Sequence, residues 1–471
     1  NFNGYTLTRD FLNTTSAIFH NIGEKGIIEN INLNILLNNE IEKSYMTGLF
    51  DINKGKIENI IINLIESNNK LNKLLFLGGF YNGGTINKFV INYEVPIYGV
   101  QSITGLVYRN ENNGIITNGY VIGENIKAVS SIDGRHIANI SVLNMGNAVV
   151  KNIYTLVGID TEGNSNEKYI GHITSEMDHN AILENVYSVG LGNAYNLNLG
   201  PNTYYSSNKL IKNSYYFNDK IFQSPYNQKT TKLALWDTNF QNEILNSENA
   251  FDVDNLVEKG FYPQIDMPEC MPKQKYIELP EVEDKDLPDI LSTKVLENNN
   301  NIAKVQFIIN NPSGETITNI KIKNLECKIE SQEYSEGKSK VIAILNNPII
   351  CVSEYSVMSI STKGAYNQEY TRKFKEKERL ISIDFYREIY TTDDWKAINK
   401  STNENYILMQ DLDFKNNPKD AIIYYSVIGK INGNNHIIQN VEVNSEFIIL
   451  GVKNGIKNIK FENISLKTDK N

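Results

Sequence analysis

A short pattern of apolar and polar positions recurs through the first half of the chain. A small or turn residue is followed by aliphatic positions, an Asn and then alternating apolar residues, as in GIIENINL at residues 26–33 and GKIENIII at residues 55–62. Further copies, one of them degraded, lie at residues 84–89, 114–121, 148–154, 181–187 and 209–215. Apolar residues two apart share one face of a strand, so each copy predicts a β-strand with one buried face.

The spacing of the copies predicts a solenoid. Asn30 and Asn59 are 29 residues apart, and the steps from Asn118 to Asn152 to Asn185 are 34 and 33 residues. A single strand cannot bury its face, but coils stacked about 4.8 Å apart form a continuous core. We therefore expect a right-handed parallel β-helix with one coil per copy.

The repeated Asn is expected at the bend of each coil. Asn tolerates unusual backbone angles, and its amide can hydrogen-bond to the Asn above and below as a ladder. The predicted ladder residues are Asn30, Asn59, Asn118, Asn152, Asn185, Asn213 and Asn458.

Two other phrases support the repeat. TGLF at residues 47–50 and TGLV at residues 104–107 precede copies of the first pattern. An apolar residue followed by Asn-Gly or Asp-Gly occurs at residues 2–4, 132–134 and 431–433, and these dipeptides signal tight turns.

The two ends of the chain resemble each other. Residues 2–4 match residues 431–433 with a shift of 429, and residues 29–31 match residues 457–459 with a shift of 428. We therefore expect a second β-helix to begin near the C-terminal end, and the chain to be one period of a longer protein, cut inside a helix at each end.

Composition predicts four regions. Residues 1–262 form the first β-helix with a polar C-terminal cap over its last coil, at about residues 232–259. Residues 263–289 hold five of the 11 prolines among acidic residues and predict an extended linker. Residues 290–388 predict an immunoglobulin-like β-sandwich, and residues 389–471 the capped start of a second β-helix.

The sandwich rests on short alternating segments. A turn is expected at the Asn-Pro-Ser-Gly sequence of residues 311–314. The expected strands lie at residues 303–310, 319–329, 340–345, 356–361 and 379–386. Five to seven strands in about 95 residues are typical of an immunoglobulin-like fold.

The second β-helix is expected to start with a short helix and a strand. Residues 392–398 predict a helix with an N-cap Thr, an acidic first turn and an apolar face of Trp395 and Ile398 that covers the first coil. Residues 405–414 alternate and end in a turn at residues 416–418, which fits a first strand.

These motifs resemble known families. TGLF at residues 47–50 followed by GKIEN at residues 55–59 resembles the GLUG repeat, which also occurs in adhesins and other surface proteins. DWKAIN at residues 394–399, with residues 405–414 and Gly433, resembles the region ahead of the catalytic domain in Gram-positive immunoglobulin A proteases and related zinc metallopeptidases. The resemblance implies a secreted or cell-surface bacterial protein whose zinc site lies in a separate domain that no part of this chain matches.

Charge and hydropathy limit the partners. The net charge is −9 and the pI about 5.3, without a cluster of Lys or Arg. This disfavours nucleic acid and anionic membrane surfaces. No apolar stretch reaches the roughly 18 residues of a membrane helix. The expected partners are a protein, such as a host glycoprotein, or a glycan.

The sequence predicts no catalytic residue, metal site or cofactor. The five His lack HExxH spacing, and His172, Glu176 and His179 come nearest to it. Asp133, Arg135 and His136 form the best local cluster for a carbohydrate-active site, but Asp133-Gly134 is also a turn signal. Inert thiols and a Cys327–Cys351 disulfide both remain open for the cysteines.

Three functions follow from these features. The first is a non-catalytic scaffold or substrate-recognition region of a secreted metallopeptidase. The others are a surface adhesin or phage-fibre-like binding module, and a carbohydrate-active β-helix enzyme.

Overall fold

The computed structural model describes most of the chain. Described are residues 1–10, 17–37, 45–67, 74–99, 102–129, 136–162, 169–178, 180–190, 203–205, 210–217, 228–298, 302–347, 355–364, 369–381, 386–400, 404–443 and 447–467. The protein is all-β, with 55% strand and 9% helix, and contains a parallel β-solenoid of about 12 turns. The predicted all-β class and parallel β-helix are therefore confirmed. The chain divides into two compact units, Asn1–Glu281 and Val282–Asn471.

The widest sheet of the first unit, the ladder sheet, contains the repeated Asn pattern. Its nine parallel strands follow one another in chain order, so each strand belongs to one coil. They are Thr6–Asp10, Ile27–Leu37, Lys56–Ser67, Thr85–Tyr93, Ile115–Gly123, Val149–Thr155, Ile182–Val189, Ile211–Phe217 and Gln228–Lys229. Inward residues at matching positions, such as Ile60, Phe89, Ile153 and Val186, are fully buried and form a continuous core.

Three further parallel sheets complete the coils. The second sheet contains Phe19–Ile22, Phe50–Asn53, Gly79–Asn82, Val107–Asn110, Ser141–Asn144, Thr174–Met177 and Thr203–Tyr205. The third sheet contains Tyr45–Thr47, Leu74–Phe76, Ser102–Thr104, His136–Ala138 and Tyr169–Gly171. A short sheet contains Ile97–Gly99, Ile126–Val129 and Ile159–Glu162.

The TGLF phrase forms the bend from the third sheet to the second sheet. A Cβ atom on Gly48 would lie 1.8 Å from the carbonyl oxygen of Leu77 in the next coil. Gly105 has the same constraint, with Asn139 O at 2.3 Å. The backbones of neighbouring coils therefore leave no room for a side chain at Gly48 and Gly105, although Leu77 and Asn139 occupy the same position in other coils.

Residues 232–281, the return segment, lie along the outer face of the ladder sheet. It begins with α1 (Lys232–Leu235), α2 (Thr238–Leu245) and α3 (Asp254–Val257). Its strands Phe251–Asp252 and Gln264–Ile265 pair antiparallel. The chain then turns tightly, with Met271 N donating to Pro268 O at 2.8 Å, and comes back until Leu279 N donates to Gly260 O at 2.8 Å.

The position of the return segment differs from the sequence expectation of a cap and a linker. Helix α2 packs against the ladder-sheet strands Val149–Thr155 and Ile182–Val189, along the side of the solenoid. The Pro-rich stretch continues this cover up to residue 281, because its apolar side chains are buried. These residues, Tyr262, Ile265, Met271 and Leu279, are each at most 5% exposed.

The second unit begins with a seven-stranded antiparallel sheet. In spatial order its strands are Asp289–Asn298, Ala303–Asn310, Lys338–Leu345, Leu325–Ser335, Thr316–Ile322, Val357–Lys363 and Glu369–Lys373. The strand Leu325–Ser335 joins the two halves, since Cys327 pairs with Ile320 and residues from Lys328 onward pair with Lys338–Leu345. The expected turn at residues 311–314 is present, with Gly314 N donating to Asn311 O.

One strand prediction in this region is wrong and one strand is not among those expected. The segment 319–329 is two strands, because Lys323 adopts a positive φ of 49° and the chain reverses there. The additional strand, Asp289–Asn298, begins at the last residue of the predicted linker and otherwise lies in the predicted sandwich, where it pairs with Ala303–Asn310. Its pattern is interrupted by two register shifts, so its apolar alternation is broken.

The second solenoid follows within the same unit. One parallel sheet contains Arg387–Ile389, Tyr406–Leu408, Ile431–Asn432 and Ile456–Lys457, and another contains Leu412–Asp413, Ile437–Val443 and Lys460–Leu466. Helix α4 (Thr392–Ala397) is capped by Thr391, one residue before the predicted start, in a capping box with Asp394. Trp395 and Ile398 are fully buried, and Trp395 Nε1 donates to Ala421 O at 2.9 Å.

Candidate functional site

Six of the predicted ladder residues lie in one column of the ladder sheet. Asn30, Asn59, Asn118, Asn152, Asn185 and Asn213 all have positive φ, between 46° and 61°. Asn59, Asn152, Asn185 and Asn213 each donate from Nδ2 to Oδ1 of the preceding predicted Asn, at 2.9–3.2 Å. The bend selects a residue that tolerates the left-handed region, and the amide supplies both a donor and an acceptor.

The column is interrupted in the coil with the degraded pattern. Lys88 occupies the bend there with φ 54°. The neighbouring Asn87 donates to Glu58 Oε1 and accepts from Asn118, both at 2.8 Å. Lys88 instead reaches the return segment, where Nζ donates to Asp266 O at 3.2 Å.

Asn458 of the second solenoid occupies a different position. It donates to Asn432 Oδ1 at 3.4 Å. The bend with the ladder pattern is formed there by Asn440 (φ 60°) and Asn463 (φ 52°), which lie in adjacent coils. Asn463 donates to Asn440 at 3.3 Å, and Asn440 donates to Asp413 at 2.7 Å.

A second Asn ladder, which the sequence reasoning missed, runs inside the first solenoid. Asn53, Asn82, Asn110 and Asn144 end the strands of the second sheet and are fully buried. The first three each donate from Nδ2 to Oδ1 of the next Asn, at 2.7–2.8 Å. The available signal was an Asn that precedes the tight turn in four successive coils, at a spacing of 28 to 34 residues.

Outside the ladder sheet, a column of tyrosines is covered by the return segment. Tyr120, Tyr154 and Tyr187 stack with ring centroids 5.0 and 5.2 Å apart and are at most 1% exposed. Phe240, Phe251 and Tyr262 of the return segment pack on them. The Tyr154 hydroxyl donates to Pro263 O at 2.6 Å, and burial raises the pKa of this phenol well above its usual value. This face is therefore occupied by the chain itself.

The bend between the third and second sheets is concave. Side chains four residues apart meet across it on the outer surface. Thr47 Oγ1 donates to Asp51 Oδ1 at 2.7 Å, and the rings of Phe76 and Phe80 lie 5.8 Å apart. The contacts of the return segment described above are with the ladder sheet and not with this bend.

The middle coils of this surface form what we call the central patch: Phe80, Tyr81, Tyr108, Arg109, Glu111 and Asn112. The rings of Phe80 and Tyr108 stack at 5.3 Å, and the Arg109 guanidinium lies 5.8 Å from the Tyr108 ring centroid. Asn112 donates to the Tyr81 hydroxyl at 2.8 Å. Half-exposed rings beside paired charges make this the most varied chemistry on the described surface of the solenoid.

Titratable groups flank the central patch. His136 Nδ1 lies 3.3 Å from Glu176 Oε1 in the next coil. Burial lowers the pKa of His136 and raises the pKa of Glu176, so both changes favour the neutral forms. Asp133 and Arg135, predicted beside His136, lie outside the described residues.

Other sequence candidates are separated or isolated. His172 Nδ1 donates to Val157 O at 3.2 Å, and burial lowers the pKa of His172 to about 4. His179 lies outside the described residues. In the described ranges no group of three or more His, Cys, Asp or Glu is arranged to hold a metal ion.

The cysteines show no chemistry in the described regions. Cys327 is buried in the antiparallel sheet, and burial raises the pKa of its thiol to about 12. Cys270 is exposed at the turn of the return segment, and Cys351 lies outside the described residues.

Comparisons with known proteins leave the site to be interpreted from its own geometry. No family model, curated protein or solved structure matches the chain. Among the helices of the described regions, none has the length and hydropathy of a membrane span.

Proposed function

We propose that the chain is a non-catalytic recognition scaffold from a large secreted or cell-surface bacterial zinc metallopeptidase. The observation that carries this proposal is the contrast between the two outer faces of the first solenoid. The ladder-sheet face is filled by the return segment, whereas the concave face presents half-exposed rings and paired charges over several coils. A rigid stack of coils presents such groups at fixed spacing, which suits an extended partner.

The antiparallel region of the second unit fits the same proposal. If its strands are lettered A to G in chain order, their spatial order is A-B-E-D-C-F-G. This order agrees with the ABED and CFG sheets of an immunoglobulin-like domain, with strand D adjoining strand C. Such domains commonly serve as spacers or binding modules in surface proteins, and the GLUG-like phrases point to the same setting.

The test measures binding of the whole chain to immobilised immunoglobulin A, with serum albumin as the protein control, by surface plasmon resonance. We expect saturable binding to immunoglobulin A that the double variant Tyr108→Ala, Arg109→Ala weakens at least tenfold. Equal responses on the two surfaces, or a response unchanged in the variant, would contradict the proposal. An HExxH motif encoded downstream in the same reading frame would support the metallopeptidase setting, and its absence would favour a surface adhesin.

One observation favours a carbohydrate-active enzyme as a second candidate. His136 and Glu176 lie in adjacent coils and face each other. The pKa of His136 is lowered and that of Glu176 is raised, so both shifts favour the neutral side chains, as is common for acid–base pairs. This candidate predicts turnover of a polysaccharide that Glu176→Gln abolishes while Lys212→Ala, on the outer face of the ladder sheet, does not. Absence of product from neutral and anionic polysaccharides would exclude it.

A further inference from the structure

The central patch has a preorganised aromatic wall. Phe80 and Tyr108 stack with an interplanar angle of 21°, on neighbouring coils. Phe76 lies fully buried behind them, with its ring centroid 4.9 Å from that of Tyr108. Because a buried ring and the coil spacing fix both positions, little side-chain freedom is lost when a ligand packs on the wall.

Beside the wall, donors and acceptors of opposite charge are held close together. Arg109 Nη1 lies 3.9 Å from Glu111 Oε1, so the pair has no net charge. The Nε atom of Arg109 is buried and has no hydrogen-bond acceptor among the described residues. The Arg109 side chain is 43% exposed, so its accessible donors are the Nη groups of the guanidinium.

We propose that the central patch binds a neutral oligosaccharide, with a sugar ring stacked on Phe80 and Tyr108 and its hydroxyls bonded to Arg109 and Glu111. The inference rests on the proposed recognition function and names the ligand class. A sugar ring has an apolar C–H face and a rim of hydroxyls that donate and accept, which matches an aromatic wall beside a charge pair.

Other ligand classes fit these groups less well. A polyanion would meet Arg109 already paired with the carboxylate of Glu111. An apolar peptide segment would remove water from the Arg109–Glu111 pair without replacing its hydrogen bonds, which is costly. Hydroxyl groups replace those water contacts directly.

The first experiment applies the whole chain to a printed array of neutral, sialylated and sulfated oligosaccharides. We expect binding to neutral members, confirmed by titration calorimetry on the strongest one. Tyr108→Ala should weaken it about tenfold, equivalent to about 1.4 kcal/mol. Arg109→Lys should weaken it measurably, because Lys lacks the planar fork of Nη donors. Tyr425→Ala, which removes an exposed Tyr of the second solenoid, is the matched control and should bind as the unchanged chain does.

Thermal unfolding of each variant separates lost binding from lost folding. Binding confined to sialylated or sulfated members, or binding that Tyr108→Ala leaves unchanged, would overturn the proposal. A second negative outcome combines two measurements: the array shows no binding, and saturation-transfer NMR at millimolar oligosaccharide shows none either. That outcome would overturn the proposal as well.

A second experiment separates failure of this inference from failure of the proposed function. Immobilised immunoglobulin A is measured before and after enzymatic removal of its glycans. Loss of binding after removal supports the oligosaccharide site. Binding that persists keeps the recognition function and overturns the glycan ligand, whereas no binding to either form overturns both.

Discussion

The two outer faces of the first solenoid both contain stacked aromatic rings, but the rings are buried to different depths. Tyr120, Tyr154 and Tyr187 stack at 5.0–5.2 Å beneath the return segment and are at most 1% exposed. Phe80 and Tyr108 stack at a similar 5.3 Å on the concave face and stay half-exposed. Stacking along a solenoid is a consequence of coil repetition and carries no function by itself. What distinguishes the faces is the fraction of each ring that solvent reaches.

The largest expected effect comes from truncating the covered column. Tyr154→Ala removes a fully buried ring and the hydroxyl bond to Pro263, so we expect the free energy of unfolding to fall by about 3–5 kcal/mol. Urea denaturation followed by far-UV circular dichroism measures this change. Tyr108→Ala on the concave face should cost about 1 kcal/mol or less. Equal losses would show that the two faces do not differ in the way the structure indicates.

A smaller loss is expected at the inner Asn ladder, between the two faces. Asn110→Ala leaves Asn82 without its acceptor and Asn144 without its donor, inside a fully buried column. We expect a loss of about 2 kcal/mol by the same denaturation measurement. The control is Asn213→Gly at the exposed end of the outer ladder, where glycine tolerates the positive φ of 46°. A control loss as large as that of Asn110→Ala would contradict the importance of burial.

The acid response of the first solenoid should depend on His172, which lies between the strands Tyr169–Gly171 and Thr174–Met177. Burial holds the pKa of His172 at about 4 in the folded chain, below the value near 6.5 of an unfolded His. The unfolded state then binds more protons, so this contribution to stability is present above pH 6.5 and is lost as the pH falls toward 4. His172→Gln should flatten stability between these pH values, in urea titrations at half-unit steps. An unchanged slope in the variant would show that His172 is already accessible in the folded state.

The smallest effect is expected at the interrupted coil. Lys88→Asn places Asn at a bend with φ 54°, where Asn is favoured, and removes one exposed bond to Asp266. We expect a gain of about 0.5 kcal/mol. A rise in the denaturation midpoint at unchanged slope would support this. A loss would mean that the contact between Lys88 and the return segment outweighs the bend.

The solenoid could be predicted because its information is local and repeated. The same residue type recurs at the bend of each coil, and apolar alternation needs no distant partner, so Asn30 and Asn59 define both period and face. The return segment could not be predicted in the same way. Its prolines and acidic residues are typical of a linker, and its burial depends on Tyr120, Tyr154 and Tyr187, more than 50 residues earlier in the chain.

The central patch was missed for a related reason. Phe80, Tyr108 and Arg109 belong to strands of a sheet whose outward positions follow no repeated residue type. Their proximity arises from parallel register between coils, in which Tyr81 aligns with Arg109. In the second solenoid, the match between the chain ends predicts Asn458 as the ladder residue. The local pattern around Asn440 and Asn463 is the better guide to the bend.

The length of the return segment is matched to the number of coils that it spans in the first unit. It contacts the first coil at Cys270, which abuts Gly4, and the seventh coil through Phe240, which packs on Tyr187. An added coil would move these points apart by about 4.8 Å, or roughly 1.5 extended residues in each arm of the segment. A coil inserted between these two contacts would therefore require a longer return segment if both contacts were kept. Repeat arrays usually gain and lose units freely, but here an insertion between the contacts needs a second, matching change.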